Sequence, residues 1–344
     1  VIGLLSTRVG LDPGTANTLI YVKGRGIAVN ERSLVTVRAG TSVIEAVGGE
    51  AEAGLGRTPQ KFQTARPIRA GSISDLRLFD GMLHRFLRKA HISGSWRRLK
   101  VAIAVPSGMT EVERLAVIES IQNAGAGDVL LVDQALAAAR GAGLPIEESR
   151  GRMVVNIGAG VTDVAIISLA NIVYTRASRV AGDEMDASIA EHVRTERQLL
   201  IGEPTAERLK IRIGSAVPDG EESVLAIKGR CVRMGVPREA TIRSGEVHEA
   251  LSAPLERIMS AIREALEQAP PELSADLIET GIVLTGGSAL LRNLDRFISR
   301  GCGLPVRVAG DPLSCVIQGL AHQLNGLRPR EWRRFGNGRD KPRP

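Results

Sequence analysis

The chain reads as an α/β protein built from two similar halves, and three observations lead there. Short, strand-length apolar runs alternate with helical patterns along the whole length. A strand, a tight glycine turn and a second strand at Val9–Val22 recur, with changes, at Val154–Ile167; Asp12 falls on Asn156, Gly14 on Gly158, Ala16 on Gly160 and Thr18 on Thr162, at a constant offset of 144 residues. A third glycine turn follows a short strand within Ile282–Leu291. Backbone N–H groups at such turns donate to phosphate oxygens, and only small residues allow the approach. Two equivalent turns therefore predict a nucleotide held in a cleft between duplicated halves.

The elements follow in order. After the first turn, Gly26–Ala65 is rich in strands and turns and reads as a small insert. A helix is expected near Asp80–Ala90, with Met82, Leu83, Phe86 and Leu87 on one side. The basic loop His91–Lys100 leads into a buried strand, Val101–Val105, which Pro106-Ser107-Gly108 ends. The next helix, about Glu111–Ala124, is expected to turn Val112, Leu115, Ile118 and Ile121 inward, with Gly125 at its C-terminal end. Strand Val129–Val132 and helix Gln134–Arg140 follow, and Gly141–Arg152 reads as the connection between halves. In the second half, strand Ile172–Arg176 is followed by a helical stretch about Met185–Ile213 and a β segment across Val224–Ile242. Helix Leu255–Gln268 comes next, with Pro254 marking its start. The domains are expected at 1–145 and 146–327, the second with an insert about 183–245, followed by a basic tail, 328–344.

At 344 residues with 43% hydrophobic content, each half is long and apolar enough for its own core. No apolar run approaches the roughly 20 residues needed to span a bilayer, and Val1–Ser6 lacks the make-up of a secretory leader. Cys231, Cys302 and Cys315 are odd in number and far apart, and the five histidines show no ligand spacing. A disulfide framework or zinc site is therefore not expected, and a reducing cytoplasm is. The net charge is +7, but Arg328–Pro344 alone holds seven basic and two acidic residues, which leaves the body near neutral. With aromatics at 3%, a base-stacking platform for nucleic acid is not expected.

Six motifs stand in order: DPGTANT at Asp12–Thr18, VPSGMTEVER at Val105–Arg114, AGDEMD at Ala181–Asp186, IGEPTAERLKIRIG at Ile201–Gly214, PPELSAD at Pro270–Asp276 and LTGGSALLRNLD at Leu284–Asp295. Together they resemble the MreB family of bacterial actin-like proteins that determine rod shape, over about Val9–Leu324. The resemblance implies an actin-like fold of the Hsp70 and sugar-kinase type, with two ribonuclease-H-like domains around a nucleotide cleft. It implies ATP and Mg²⁺ as ligands. Gly14, Thr15, Ala16 and Asn17 would bind phosphates, and Asp12 would organise Mg²⁺ through water. Gly158, Ala159, Gly160, Val161 and Thr162 would form the second phosphate turn. Glu203, Glu207 and Lys210 would contact ribose and adenine, and Gly286, Gly287, Ser288 and Ala289 would pack against the base and phosphates.

The chain departs from the family where chemistry is expected. Asn156 replaces an Asp, Ala159 a Gly, Val161 a Thr and Ser288 a Gly; Pro13 removes one N–H from the first turn. Gln134 stands where bacterial relatives carry a water-positioning Glu. Neither Gln134 nor Asn156 can accept a proton near neutral pH. General-base assistance is worth roughly 10²–10⁴-fold, so weak or lost hydrolysis with retained binding is expected.

Trp96 lies among Arg97, Arg98 and Lys100, with Ile92 nearby. An aromatic among basic residues suits an anionic membrane surface, and the matching family loop dips into the membrane; Val1–Leu5 reads as a second short anchor. The acidic residues of Ala181–Asp186 also have a simpler reading, a solvated helix start. The expected protein is an ATP-binding filament at the inner membrane face, guiding cell-wall synthesis with itself, lipid and membrane proteins of the elongation machinery as partners. A kinase of the same superfold, a chaperone and a degenerate homologue with little turnover are the alternatives.

Overall fold

The computed structural model describes residues 7–56, 59–92, 99–218, 220 and 222–326. They form two units: residues 7–145 with 314–326, and residues 146–313. The second unit therefore closes at 313 rather than 327, and the last described helix, Cys315–Gly326, returns to the first.

The first unit is organised by a five-stranded sheet. Asp128–Asp133, Lys100–Val105 and Arg8–Pro13 run parallel to one another, and Arg8–Pro13, Asn17–Val22 and Gly26–Arg32 form an antiparallel meander. The second unit repeats this order: Val306–Val308, Ile282–Thr285 and Arg152–Ile157 run parallel, then Thr162–Ser168 and Asn171–Ser178 complete the meander. The duplication legible in two turns thus extends to two whole sheets.

Side-chain alternation decides what covers each face. In Arg8–Pro13, Val9 and Leu11 face a core that includes Phe79, Met82 and Phe86 of the helix Leu76–Lys89. Gly10 faces the other way, where a Cβ would lie 3.3 Å from the Leu320 Cβ of the C-terminal helix. That helix also crosses Gln134–Gly141 closely. A Cβ on Gly319 would strike the Ala137 carbonyl, and one on Gly141 the Cys315 carbonyl. The two backbones touch because both residues lack side chains.

Four sequence expectations are corrected. The first helix begins at Leu76, not near Asp80, because Asp75 caps it by accepting from the Leu78 N–H at 3.0 Å. The helix Glu111–Asn123, held by a Thr110–Glu113 capping box, buries Val117 and Ile121, while Val112 and Leu115 are 77% and 65% exposed. It carries apolar residues on two faces, so spacing alone does not say which turns inward. The stretch expected as one helix over 185–213 is two, Gly182–Arg197 and Glu203–Ile213, parted by a short strand at Leu199–Leu200. Pro254 does not start its helix. It is buried inside Ser244–Glu267, on the face that packs Leu251, Leu255 and Ile258 into the second core.

The glycine crossing generates a prediction. Gly319→Ala places a methyl against backbone that cannot swing away, so the first unit should lose about 1–3 kcal/mol. Urea titration should show a lower midpoint with an unchanged slope. An unchanged midpoint would mean that the two helices separate without cost.

Candidate functional site

In the first turn every carbonyl is tied back. Gly14 N–H donates to the Asn17 carbonyl at 3.0 Å, closing the turn, and Ser33 N–H donates to the Ala16 carbonyl at 2.8 Å. Ser33 Oγ donates to the Gly14 carbonyl at 2.6 Å, and Arg66 Nη1 to the Thr15 carbonyl at 3.2 Å. With its oxygens turned inward, the Gly14–Asn17 turn presents its N–H edge, the arrangement that attracts an anion. A Cβ on Gly14 would lie 2.7 Å from the Asn17 carbonyl oxygen, so this position requires glycine. Pro13 leaves the closure intact because the closing donor is Gly14. Thr15 is buried and its hydroxyl accepts from Gly71 N–H at 3.2 Å. Ser33, Arg66 and Gly71 were missed by sequence reasoning; nothing in their spacing from the turn marks them.

Asp12 lies at the end of the strand entering that turn, paired with Leu19. It is 7% exposed, its Oδ1 has no hydrogen-bond donor among the described residues, and burial pushes its carboxyl up to about 7. A buried carboxylate oxygen without a donor is the chemistry expected of a group meant to meet a cation or its water shell. No cluster of three or more His, Cys, Asp or Glu suited to a metal occurs among the described residues.

The second turn is held by the same logic but different partners. Gly158 N–H donates to the Val161 carbonyl at 2.9 Å. The Gly158 carbonyl accepts from Gly182 N–H at 3.2 Å and from Ser288 Oγ at 2.7 Å; the Ala159 carbonyl accepts from Asp183 N–H at 2.7 Å. The amides of Ala159, Gly160 and Val161 make no backbone hydrogen bond among the described residues. The N-terminus of the Gly182–Arg197 helix and the third turn thus pull the carbonyls of the second turn to one side. Thr162 is fully buried, and its hydroxyl donates to the Val180 carbonyl at 2.7 Å.

Asn156 is buried and its Oδ1 accepts from Thr285 Oγ1 at 3.1 Å. Register places it opposite Thr285 on one side and Asp163 on the other, a polar row across three strands. Asp163 is fully buried and was not singled out from the sequence. Gln134 is the first residue of its helix; the carboxylate beside it, Asp133, caps that helix, accepting from Ala135 N–H at 2.9 Å and Ser107 Oγ at 3.0 Å.

In the third turn Gly286 has φ 85°. A Cβ there would strike the Ile157 carbonyl, so the turn packs directly on the strand leading to the second turn. Gly287–Leu290 is a single 3₁₀ turn in which Ser288 and Ala289 are buried.

Glu203, Glu207 and Lys210 share one face of the Glu203–Ile213 helix. Lys210 does not pair along its own helix. Its Nζ donates to Asp186 Oδ2 at 2.8 Å and to the Gly182 carbonyl at 3.0 Å. This corrects the solvated reading for Asp186 alone: it is 6% exposed, and burial pushes it up to about 6 against the pull of Lys210, whereas the Glu184 side chain is 43% exposed.

Trp96, Arg97 and Arg98 lie outside the described residues. Ile92 is half-buried against the first core, and Lys100 belongs to a strand, with Nζ 3.0 Å from Asp128 Oδ2. No helix among the described residues is long and apolar enough to cross a membrane.

Comparison with known proteins identifies the class and then the family. The solved MreB5 of Spiroplasma citri bound to AMPPNP superposes with TM-score 0.89 at 36% identity, covering 94% of this chain and 100% of that one. The same protein bound to ADP matches equally, TM-score 0.89 over 96% of this chain. A MamK double helical filament shares the fold at TM-score 0.79 and 20% identity. The fold is the actin-like one expected. Residues 6–331 match the MreB/Mbl protein family model. The cell shape-determining protein MreB of Escherichia coli K12 is 49% identical over 322 residues, 92% of this chain and 93% of that one. Mbl of Bacillus subtilis is 40% identical over 319 residues, covering 93% and 96%. The chain belongs to the MreB/Mbl family.

The state of Asp12 is open to measurement. Its folded value near 7 lies above the ordinary 3.8, so between those limits the native protein holds a proton that the unfolded chain has released. The stability this provides is complete below 3.8 and is lost as pH rises through about 7. Asp12→Asn, a neutral mimic, should therefore raise the melting temperature of the ligand-free protein at about pH 8, and the gain should shrink towards about pH 4. A gain of the same size at both pH values would show that the carboxylate is not held protonated by burial.

Proposed function

We propose that this chain is an ATP-binding, filament-forming cytoskeletal protein that works at the inner face of the cell membrane and guides cell-wall synthesis. The observation that carries the nucleotide reading is the tied-back state of both turns: the carbonyls of Gly14–Asn17 and those of Gly158, Ala159 and Val161 are engaged, once in each unit. The AMPPNP- and ADP-bound states of the Spiroplasma relative support ATP as the ligand. Asp12 would hold Mg²⁺ through water, and that cation would offset phosphate charge. Thr15 and Thr162 serve within this reading by shaping the turns, since both hydroxyls are engaged internally.

Turnover is proposed to be slow. Asn156 Oδ1 is occupied by Thr285 and carries no charge. Gln134 supplies an amide in place of a base, and Asp133 is committed to its cap. Binding without efficient hydrolysis suits a protein whose bound nucleotide selects an assembly-competent form. Head-to-tail stacking of such subunits is a heterologous contact that does not close, so it yields filaments. Sedimentation with and without ATP, alongside phosphate release, tests this. ATP should drive the protein into the pellet with slow release, and Asn156→Asp with Gln134→Glu should speed release roughly 10²–10⁴-fold if general-base assistance returns. Protein that stays monomeric with nucleotide bound would move the reading to the kinase or degenerate class.

Membrane attachment is proposed through Trp96, Arg97 and Arg98, with Ile92 at the edge of that segment. Lys100 is withdrawn from the count by its pairing with Asp128. Each remaining arginine adds about 1 kcal/mol at an anionic leaflet, and many subunits in one filament multiply a weak contact. Trp96→Ala should reduce cosedimentation with anionic liposomes more than removal of the 328–344 tail does. If tail removal abolishes binding while Trp96→Ala leaves it intact, the tail is the contact.

A further inference from the structure

Lys210 is expected, by resemblance, to touch the base. The bonds it makes point elsewhere. Its side chain is 13% exposed and its ammonium is engaged by the Gly182 carbonyl and by Asp186, itself 8% exposed. Gly182 N–H in turn holds the Gly158 carbonyl, and the next residue, Asp183, holds the Ala159 carbonyl. A continuous path therefore runs from the Glu203–Ile213 helix, through the first turn of Gly182–Arg197, to the second phosphate turn.

We propose that Lys210 is a positioning residue for the second phosphate turn: with Asp186 it fixes the N-terminus of the Gly182–Arg197 helix, and that N-terminus fixes the turn. The inference rests on the nucleotide-binding reading for its purpose but not for its test. Three features favour it. The ammonium and its acid lie on different helices, so the pair fixes the distance between them instead of merely decorating one surface. A Cβ at Gly182 would lie 2.7 Å from Ser288 Oγ and 3.3 Å from the Gly158 carbonyl, so a side chain there would displace the serine that also holds that carbonyl. The helix start must therefore stay within a narrow range to keep its two bonds to the turn. Finally, Ser288, which stands where the family carries glycine, donates to the same Gly158 carbonyl. The third turn and the Glu203–Ile213 helix thus converge on one oxygen atom and its neighbour. Anything that shifts Lys210 is transmitted to the amides of Ala159, Gly160 and Val161.

The experiment compares native protein with Lys210→Met, Lys210→Arg and Asp186→Asn. Amide hydrogen exchange across 158–162 in the ligand-free protein reads the brace directly. It should quicken in Lys210→Met and Asp186→Asn and return towards the native rate in Lys210→Arg, which keeps the charge. Titration with Mg-ATP and with inorganic tripolyphosphate, which has no base, reads the consequence. Both affinities should fall by the same factor, about tenfold for the loss of a buried charged hydrogen bond. Unchanged exchange, or weaker ATP binding with tripolyphosphate unaffected, would overturn the proposal and return Lys210 to the base. Asp186→Asn keeps the side-chain shape and still decides the matter if Lys210→Met fails to fold. Native protein that binds neither ligand would overturn the nucleotide reading, while the exchange result would still decide the brace.

Discussion

The arrangement depends on one constraint: at each phosphate-type turn the carbonyl oxygens must be bound on one side so that the N–H groups face the other. A peptide carbonyl is as strong a hydrogen-bonding group as its amide, and an untied turn would present both signs of partial charge to an anion. The two units satisfy the constraint with unrelated means. The first uses a serine hydroxyl, a backbone amide and an arginine from its small insert region. The second uses a helix N-terminus and a serine from the third turn. In the second unit the first amides of a helix, ordinarily available to an anion, are consumed in holding the loop.

Close backbone approach is the second constraint. Gly14 and Gly286 border the turns, and Gly141 and Gly319 lie at a helix crossing remote from them in sequence. At each, the atom that a side chain would strike belongs to backbone, which cannot rotate aside as a side chain can. Gly158 is different: a Cβ there would lie 3.3 Å from the Val161 carbonyl, a tight contact but not an exclusion. The glycine turns therefore combine an exacting glycine in the first copy, Gly14, with a more permissive one in the second, Gly158.

The acids are distributed unequally in the same sense. Asp12 keeps a buried carboxyl that burial makes reluctant to ionise. Its counterpart Asn156 is neutral and bonded to Thr285. Burying a charge costs far more than burying an amide, so Asn156 adds no second buried charge beside Asp163. That unit still buries two acids near the turn: Asp163, opposite Asn156 in the register, and Asp186, which pairs with Lys210.

Much of this was legible in the sequence. The repeat at offset 144 identified both turns and, with the six motifs, the fold, because a strand–turn–strand unit imposes apolar periodicity and small residues on a contiguous stretch. The end of the Leu76–Lys89 helix and the strand at Lys100–Val105 followed from local pattern for the same reason. Tertiary structure alone decided the rest. Which face of Glu111–Asn123 is buried depended on what packs there, since apolar residues occupy two faces. Pro254 sits inside a helix because burial outweighs the lost hydrogen bond. The return of Cys315–Gly326 to the first unit rests on glycines nearly 180 residues apart in sequence, Gly141 and Gly319. Ser33, Arg66, Gly182 and Asp186 serve the turns across gaps that carry no spacing signal, and Lys210 acquired its partner from another helix. Sequence determines the groups that a chain can offer to its neighbours in sequence; which distant groups meet is decided only when each sheet forms and its own loops pack.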